Sequence, residues 1–188
     1  MLLNGVRSAA IARSRSYLEG GMGKVMALSL REEMHLVSDP RNLDSSVEEV
    51  FGLMLGVHCQ RVDGTKLIGG ESESVTAVVG FGGLLSGACV FKCGAIAAMQ
   101  IAATMTGMEF ATVDETVQDG IGEICNMLAG AWKSNVPKLA ANCGLSVPAV
   151  ITGRDYNLRV QAPEFLLHHD YVFESAHFEV TIVCDALQ

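Results

Sequence analysis

The stretch "DETVQDGIGEICNMLAGAWKSNV", residues 114–136, decides the fold because it combines a helical apolar period with helix signals at both ends. Asp114 and Glu115 stand at its start, where acidic side chains complement the positive end of the helix dipole. Pro137 predicts its end, since proline lacks the backbone donor and disfavours helix just before it. The apolar spacing predicts one buried stripe, made of Val117, Ile121, Ile124, Leu128 and Ala131.

The opposite face of this predicted helix is polar and carries little bulk. A carboxylate and a carboxamide project from it three residues apart, on a low ridge that could enter a shallow cleft of a partner. The stretch contains three glycines, Gly120, Gly122 and Gly130. Each glycine inside a helix costs about 1 kcal/mol of stability relative to alanine, and close approach of another backbone is one explanation for their presence. By spacing alone, a Glu and an Asn in this arrangement are usually just part of a solvated helix face. The residues on this side are Asp119, Glu123, Asn126, Gly130 and Lys133, with Gly122 at the edge.

A helix and a hairpin are predicted just before this stretch. The segment "AIAAMQIAATMTG", residues 95–107, is rich in helix formers and stops at Gly107, in the usual place of a helix C-cap. The runs "SVTAVVGF" (74–81) and "LLSGACVF" (84–91) flank Gly82-Gly83, which predicts two strands joined by a two-residue turn. We therefore expect a hairpin followed by two helices.

Further upstream, "LDSSVEEVFGLMLG" (43–56) predicts an amphipathic helix, with Ser45 and Glu48 as a capping box. Residues before it show no sustained period. We assign 1–43 to an N-terminal tail, which is either disordered or an upstream extension of the chain, and we assign 44–188 to a single domain, because no linker interrupts it.

The C-terminal part of the chain is predicted as β-structure. Its last segment alternates, with Phe178, Val180 and Ile182 on one face. Helix, strands, two helices and strands in this order indicate an α/β protein of the α+β type, in which long helices pack on a largely antiparallel sheet. The predicted strands are "VPAVITG" (147–153), "YNLRVQ" (156–161), "EFLLHHDYVF" (164–173) and "HFEVTIVCD" (177–185).

Composition excludes several classes of function. The net charge of −8 argues against nucleic-acid binding, which needs clustered cations. No Cys-x-x-Cys pair occurs among the six cysteines, and adjacent His168 and His169 would point to opposite faces of a strand, so we expect no metal site. The weakly charged stretch 75–108 is broken by Lys92 and by a glycine turn, so we expect no membrane span. Reduced thiols and the absence of a secretory pattern lead us to expect a cytoplasmic protein.

The helix stretch resembles the signature of the CheC/CheX/FliY phosphatases of bacterial chemotaxis. Their marker is Glu-x-x-Asn on a long helix, which here is Glu123-Ile124-Cys125-Asn126. The hairpin, "MQIAATMTGMEF" and "SVPAVITGRD" also resemble CheX, so that the similarity covers roughly residues 44–185. CheC and FliY relatives usually carry a second marker on their first helix. Here Phe51 stands three residues after Glu48, and a single marker fits the CheX branch.

The resemblance implies a phosphatase that acts on the aspartyl phosphate of a CheY-like response regulator. Asn126 would orient the attacking water, and Glu123 would pair with the regulator's lysine. Asp119, Gly122, Gly130 and Lys133 would line the contact with that partner. The chain itself would bind no cofactor, because the Mg²⁺ would belong to the regulator.

The resemblance also implies a homodimer, for which the alternating last strand could offer an edge. One alternative is a module that binds a receiver domain without hydrolysis, as expected of the flagellar switch protein FliM, which has a related fold and lacks the catalytic pair. A small-molecule or metal enzyme is a third class. The sequence contains no glycine-rich phosphate loop or nucleophile elbow that would support it.

Overall fold

The computed structural model describes residues 34–63, 73–154, 156 and 163–187. Seven strands form one sheet in which every described pairing is antiparallel, in the order β1-β6-β7-β3-β2-β4, with β5 also pairing with β2. The predicted combination of helices with an antiparallel sheet is confirmed. The strands are β1 Gln60–Val62, β2 Ser74–Gly83, β3 Leu85–Gly94, β4 Cys143–Leu145, β5 Ala149–Gly153, β6 Phe165–Phe173 and β7 Ala176–Leu187.

Helices cover one face of this sheet and bury an aromatic core against it. Phe51 stacks on Phe178 of β7 with ring centroids 4.7 Å apart, and Trp132 lies 5.2 Å from Phe81 of β2. The helices are α1 Met34–Val37, α2 Pro40–Val47 with a π-helical continuation Glu48–Met54, α3 Ala95–Thr106, α4 Glu115–Ser134 and α5 Pro137–Asn142.

Helices α3 and α4 confirm the predictions made for them. Gly107 ends α3 in the left-handed conformation, with φ of +69°, and Asp114 caps α4 by accepting a hydrogen bond from the Val117 N–H at 3.0 Å. The whole predicted stripe of α4 is buried. Pro137 begins a new helix, α5, so the long helix ends just before it, as expected.

The N-terminal helix begins earlier than predicted. Asp39 caps α2 by accepting from the Arg41 N–H at 2.9 Å, and Pro40 occupies the first turn, where its missing N–H costs nothing. Ser45 therefore lies inside the helix, and the predicted Ser45–Glu48 capping box is wrong. The Asp39-Pro40 pair was the stronger start signal.

Part of the predicted tail belongs to the core. Val37 and Leu43 are fully buried, so the chain packs on the domain at least from α1 onward, and the boundary drawn at residue 43 lies too late. The remainder of the predicted tail, residues 1–33, lies outside the described residues.

The predicted hairpin is confirmed, but its turn is not the two-residue turn expected. Strands β2 and β3 pair from Ser74↔Gly94 to Phe81↔Gly87, and Gly83 remains in β2, where it pairs with Cys143 of β4. Gly83 has a φ of +125°, and an added Cβ would collide with the Asn142 carbonyl oxygen. The glycine thus serves the close approach of β4, a strand that the sequence did not predict.

The C-terminal strands β5, β6 and β7 confirm the predicted β-structure, and Phe178, Val180 and Ile182 share the buried face. The predicted strand 156–161 lies outside the described residues except for Tyr156, which is not in a strand. Strand β7 lies between β3 and β6. It therefore offers no free edge, and the structural basis suggested for a homodimer is wrong.

Three further observations concern the described ranges only. No helix there is long and apolar enough to cross a bilayer. No three acidic, cysteine or histidine side chains cluster there as metal ligands would. All six cysteines are free thiols, and burial raises the pKa of Cys59 to about 12, so that this thiol remains protonated at neutral pH.

Candidate functional site

Helix α4 is held in a single rotation by its contacts with the sheet. Ile124 and Cys125 are both fully buried, and the Cys125 Sγ lies 3.5 Å from the carbonyl oxygens of Ala77 in β2 and Cys89 in β3. Because these two residues point into the core, their neighbours in sequence, Glu123 and Asn126, are turned outward. The apolar stripe therefore fixes the direction of the two polar side chains.

Glu123 and Asn126 lie side by side on the outer face. The Asn126 Nδ2 donates to the Glu123 Oε2 over 3.5 Å, which is the long limit of a hydrogen bond. Glu123 is exposed and Asn126 is half-buried. Within the part of the chain that the structure describes, neither side chain makes a shorter hydrogen bond, so both keep most of their bonding capacity for another molecule.

Two of the predicted partner-contact residues share this face. Asp119 is exposed one turn before Glu123, and Gly130 is half-buried one turn after Asn126. An added Cβ at Gly130 would meet no atom within 4 Å, so the surface beyond Asn126 is low and open. The ridge predicted from the sequence therefore exists over Asp119, Glu123, Asn126 and Gly130.

The other two predicted partner-contact residues are occupied within the chain. Gly122 is buried, and an added Cβ there would lie 3.3 Å from the Val150 Cγ2 and 3.4 Å from the Pro148 Cβ. Lys133 donates from Nζ to the carbonyl oxygens of Cys143, at 2.6 Å, and Ala140, at 3.3 Å. Both residues therefore contact the segment from α5 to β5, which folds back along this flank of α4.

The loop at residues 146–148 is a part of this surface that the sequence did not reveal. The Ser146 Oγ accepts from the Gly80 N–H at 2.8 Å, and the Ser146 N–H donates to the Gly80 oxygen at 2.9 Å. Val147 follows and is 85% exposed. The glycine content of α4 predicted that another segment approaches the helix closely. This approach occurs at Gly122. No sequence signal identified residues 146–148 as that segment.

A second polar cluster ties α2 to the sheet. The Asp44 Oδ1 accepts from the Tyr171 OH at 2.7 Å and lies 3.0 Å from the His169 Nδ1, while the Arg61 guanidinium lies 3.3 Å from Oδ2. Desolvation lowers the pKa of His169, and the neighbouring Asp44 opposes this shift. The Asp44 carboxylate and the Tyr171 hydroxyl both lie within hydrogen-bond distance of the His169 Nδ1. These contacts form a structural clamp that ties α2 to β6.

The outer face of the sheet carries a cavity of about 330 Å³. Its lining includes Lys92, Tyr156, His168 and Glu179, and burial raises the pKa of Glu179. His168 faces this side while His169 faces the core, so the prediction that they point apart is confirmed. The cavity lies on the opposite side of the sheet from α4 and takes no part in the Glu123–Asn126 surface.

Comparisons with known proteins converge on one family. The family model described as chemotaxis phosphatase CheX matches residues 75–170, just over half of the chain, including Glu123 and Asn126. The CheY-P phosphatase CheX of Thermotoga maritima is 30% identical over 88 residues, which are 46% of this chain. The aligned part spans only 57% of the length of that relative.

Solved structures show the same fold at low identity. A chemotaxis protein CheX from Vibrio vulnificus superposes with a TM-score of 0.63 at 18% identity, over 79% of this chain and 98% of that one. The CheX-CheY-BeF3-Mg complex from Borrelia burgdorferi gives a TM-score of 0.61 at 17% identity, over 78% of this chain and 97% of that one. The mixed helix and antiparallel sheet architecture is therefore that of CheX proteins.

Proposed function

The chain belongs to the CheX family of chemotaxis phosphatases, and from this premise we propose that it hydrolyses the aspartyl phosphate of a CheY-like receiver domain with Glu123 and Asn126. The observation that carries the proposal is the pair itself. A carboxamide and a carboxylate lie 3.5 Å apart on the outer face of a helix whose other face is buried. Such a helix can be inserted beside a phosphoryl group without rearrangement of its own fold.

Asn126 has the side chain that positioning a water requires. A carboxamide offers a donor and an acceptor to one water molecule. Hydrolysis needs that water in line with the bond to be broken. Its oxygen attacks phosphorus, the P–O bond to the aspartyl carboxylate breaks, and inorganic phosphate leaves with the oxygen and both protons of the water. Phosphoryl transfer is accelerated chiefly by positioning and charge stabilisation, so a single well-held amide can supply much of the effect.

Glu123 is suited to docking rather than to proton transfer. Its exposed carboxylate can pair with a cation of the partner, and we assign that cation to the lysine of the receiver's phosphorylation site. Such a charge-assisted hydrogen bond would set the rotation of α4 in the cleft and hold Asn126 on the side of the phosphorus. The Mg²⁺ that neutralises the phosphoryl oxygens would be held by the receiver.

The same proposal includes the surroundings of the reaction. A phosphorylated receiver domain is a cytoplasmic substrate, and we propose the cytoplasm as the compartment. We also propose that the chain is a homodimer, as the CheX resemblance implies. The described sheet leaves β1 free at one edge and β4 and β5 at the other, since β7 is paired on both sides.

The direct test is to incubate the protein with a panel of receiver domains from the same genome, each phosphorylated by a small-molecule phosphodonor that is then removed. Loss of aspartyl phosphate is followed over time, with and without the protein. We expect faster loss from at least one receiver. Binding to a phosphorylated receiver without faster loss would instead favour a non-catalytic receiver-binding module.

A further inference from the structure

The loop that flanks α4 presents an apolar side chain beside the proposed catalytic pair. Val147 is 85% exposed, more than any other large apolar residue in the described part of the chain. Single exposed apolar residues are common on protein surfaces and need no explanation by themselves. The anchoring and the position of Val147 set it apart.

Contacts on both sides hold the loop rigidly. Before Val147, Ser146 exchanges two hydrogen bonds with Gly80 of β2, one through its backbone and one through its side chain. After it, Pro148 packs on Gly122 of α4. The strands on either side, β4 and β5, both pair with β2. A side chain held in this way loses little conformational entropy when a partner covers it.

The position of the loop along α4 follows from two contacts. Cys143 accepts from Lys133 near the end of the helix, and Pro148 touches Gly122 eleven residues earlier. Eleven helical residues rise about 16 Å, and five residues of extended chain span roughly the same length. The segment therefore runs antiparallel beside α4, and Val147 lies level with the turn that contains Glu123 and Asn126.

The rotation of the helix places Asn126 between Glu123 and the loop. At about 100° per residue, Asn126 is turned about 60° from Glu123, and Gly122 is turned about 100° in the same direction. Because the loop packs on Gly122, the order across the surface is Glu123, Asn126, Val147. A polar docking residue and an apolar side chain thus lie on opposite sides of the proposed catalytic amide.

We propose that Val147 is a specificity-determining residue, which contacts an apolar spot of the receiver domain beside its phosphorylation site. This inference rests on the proposed function. A single exposed charge pair fixes orientation weakly, because water and salt screen it. A second contact, apolar and on the other side of Asn126, would strengthen the docking of receivers that offer a matching apolar residue. Receivers that carry a polar or charged residue at the matching position would be poor substrates.

The test compares Val147→Asp and Val147→Ala with matched variants of Ile96, which is 76% exposed at the start of α3. Ile96 lies six residues before Ala102 and nine before Met105, the α3 residues that approach α4 at Gly120. Steady-state kinetics are measured on the receiver that the protein dephosphorylates best. We expect Val147→Asp to raise KM on the order of tenfold with kcat changed less than about twofold, and Val147→Ala to have a smaller effect in the same direction. Ile96→Asp and Ile96→Ala should leave both constants unchanged.

A KM of Val147→Asp equal to that of the unmutated protein would overturn the inference while leaving the proposed function intact. A fall in kcat at constant KM would overturn it as well, because the residue would then act on the chemical step. Absence of hydrolysis by the unmutated protein would remove the proposed function. In that case, the contact between Val147 and the receiver is tested by binding. The protein is titrated with the receivers of the panel, each carrying BeF₃⁻ and Mg²⁺, and Val147→Asp should weaken binding whereas Ile96→Asp should not. If no receiver binds, both proposals fall.

Discussion

The side-chain amide of Asn126 lies 3.5 Å from the carboxylate of Glu123, one turn further along the same exposed face of α4. The intervening Ile124 and Cys125 are fully buried. Substitutions of the outward pair should therefore change function with little effect on the fold, and the two variants should differ in which kinetic step they affect.

Asn126→Ala tests the placing of the water. We expect hydrolysis to fall by about 100-fold or more, because a misplaced nucleophile loses most of the benefit of positioning. The unfolding free energy should hold or rise by up to about 0.7 kcal/mol, since alanine is the better helix former. Binding to a receiver that carries BeF₃⁻ and Mg²⁺ should be largely kept, because the lost contact is to water. Phosphate release, thermal melting and titration measure the three quantities. Hydrolysis at the unmutated rate would show the assigned role of Asn126 to be wrong.

Glu123→Ala should weaken binding as well as turnover. Loss of a charge pair at the interface should raise Kd for the BeF₃⁻-loaded receiver on the order of tenfold, or about 1.4 kcal/mol. The unmutated protein should lose affinity as salt is added, and Glu123→Ala should lose less. Asp119→Ala is the matched comparison, because it removes the same charge one turn away on the same ridge; we expect it to raise Kd less, since Asp119 lines the contact without pairing with the lysine. An equal rise in Kd for the two substitutions would indicate that the negative charge of the helix attracts the receiver in general and that Glu123 makes no specific docking contact.

The long helix was predictable because one repeated pattern determines it. Val117, Ile121 and Leu128 alternate with polar residues over many turns, and a capping Asp114 marks the start, so local physics and tertiary packing agree. The outward direction of Glu123 and Asn126 followed from that stripe.

Apart from the start of the first long helix, the errors concern contacts between segments distant in sequence. Gly82-Gly83 was predicted as a turn because a turn and a close approach by another strand require the same residue. The hydrogen bond from Lys133 to the Cys143 carbonyl could not be predicted, because Cys143 belongs to a strand with no recognisable pattern. Val147 could not be found from spacing, since its place beside Asn126 depends on the path of β4 and β5 along α4.

The glycines of α4 differ in what surrounds them, and alanine substitutions should separate them. Gly130→Ala adds a Cβ that meets no atom within 4 Å, so the unfolding free energy should rise by about 1 kcal/mol from helix propensity alone. A Cβ added at Gly122 would lie 3.3 Å from the Val150 Cγ2, so Gly122→Ala should raise the unfolding free energy by less than Gly130→Ala does. Gly122→Leu should destabilise the protein by overpacking, typically by 1–3 kcal/mol. Chemical denaturation of the three variants measures this order, and equal stabilisation by both alanines would contradict the packing at Gly122.

The clamp of His169 predicts how stability depends on pH. Burial lowers the pKa of His169, whereas a histidine in the unfolded chain has a pKa of about 6.5. At pH 8 both states are neutral at this site. As the pH falls through 6.5, the unfolded chain takes up a proton before the folded chain does, so the unfolding free energy decreases with falling pH. His169→Gln, which removes the titrating group, should reduce this decrease, whereas His168→Gln, on the exposed side of the same strand, should leave it in place. Denaturant titrations at steps from pH 8 to pH 5 give the slopes. If His169→Gln and the unmutated protein lose stability in parallel, then His169 is not held neutral by burial, and the hydrogen bond to Asp44 outweighs desolvation in setting its charge.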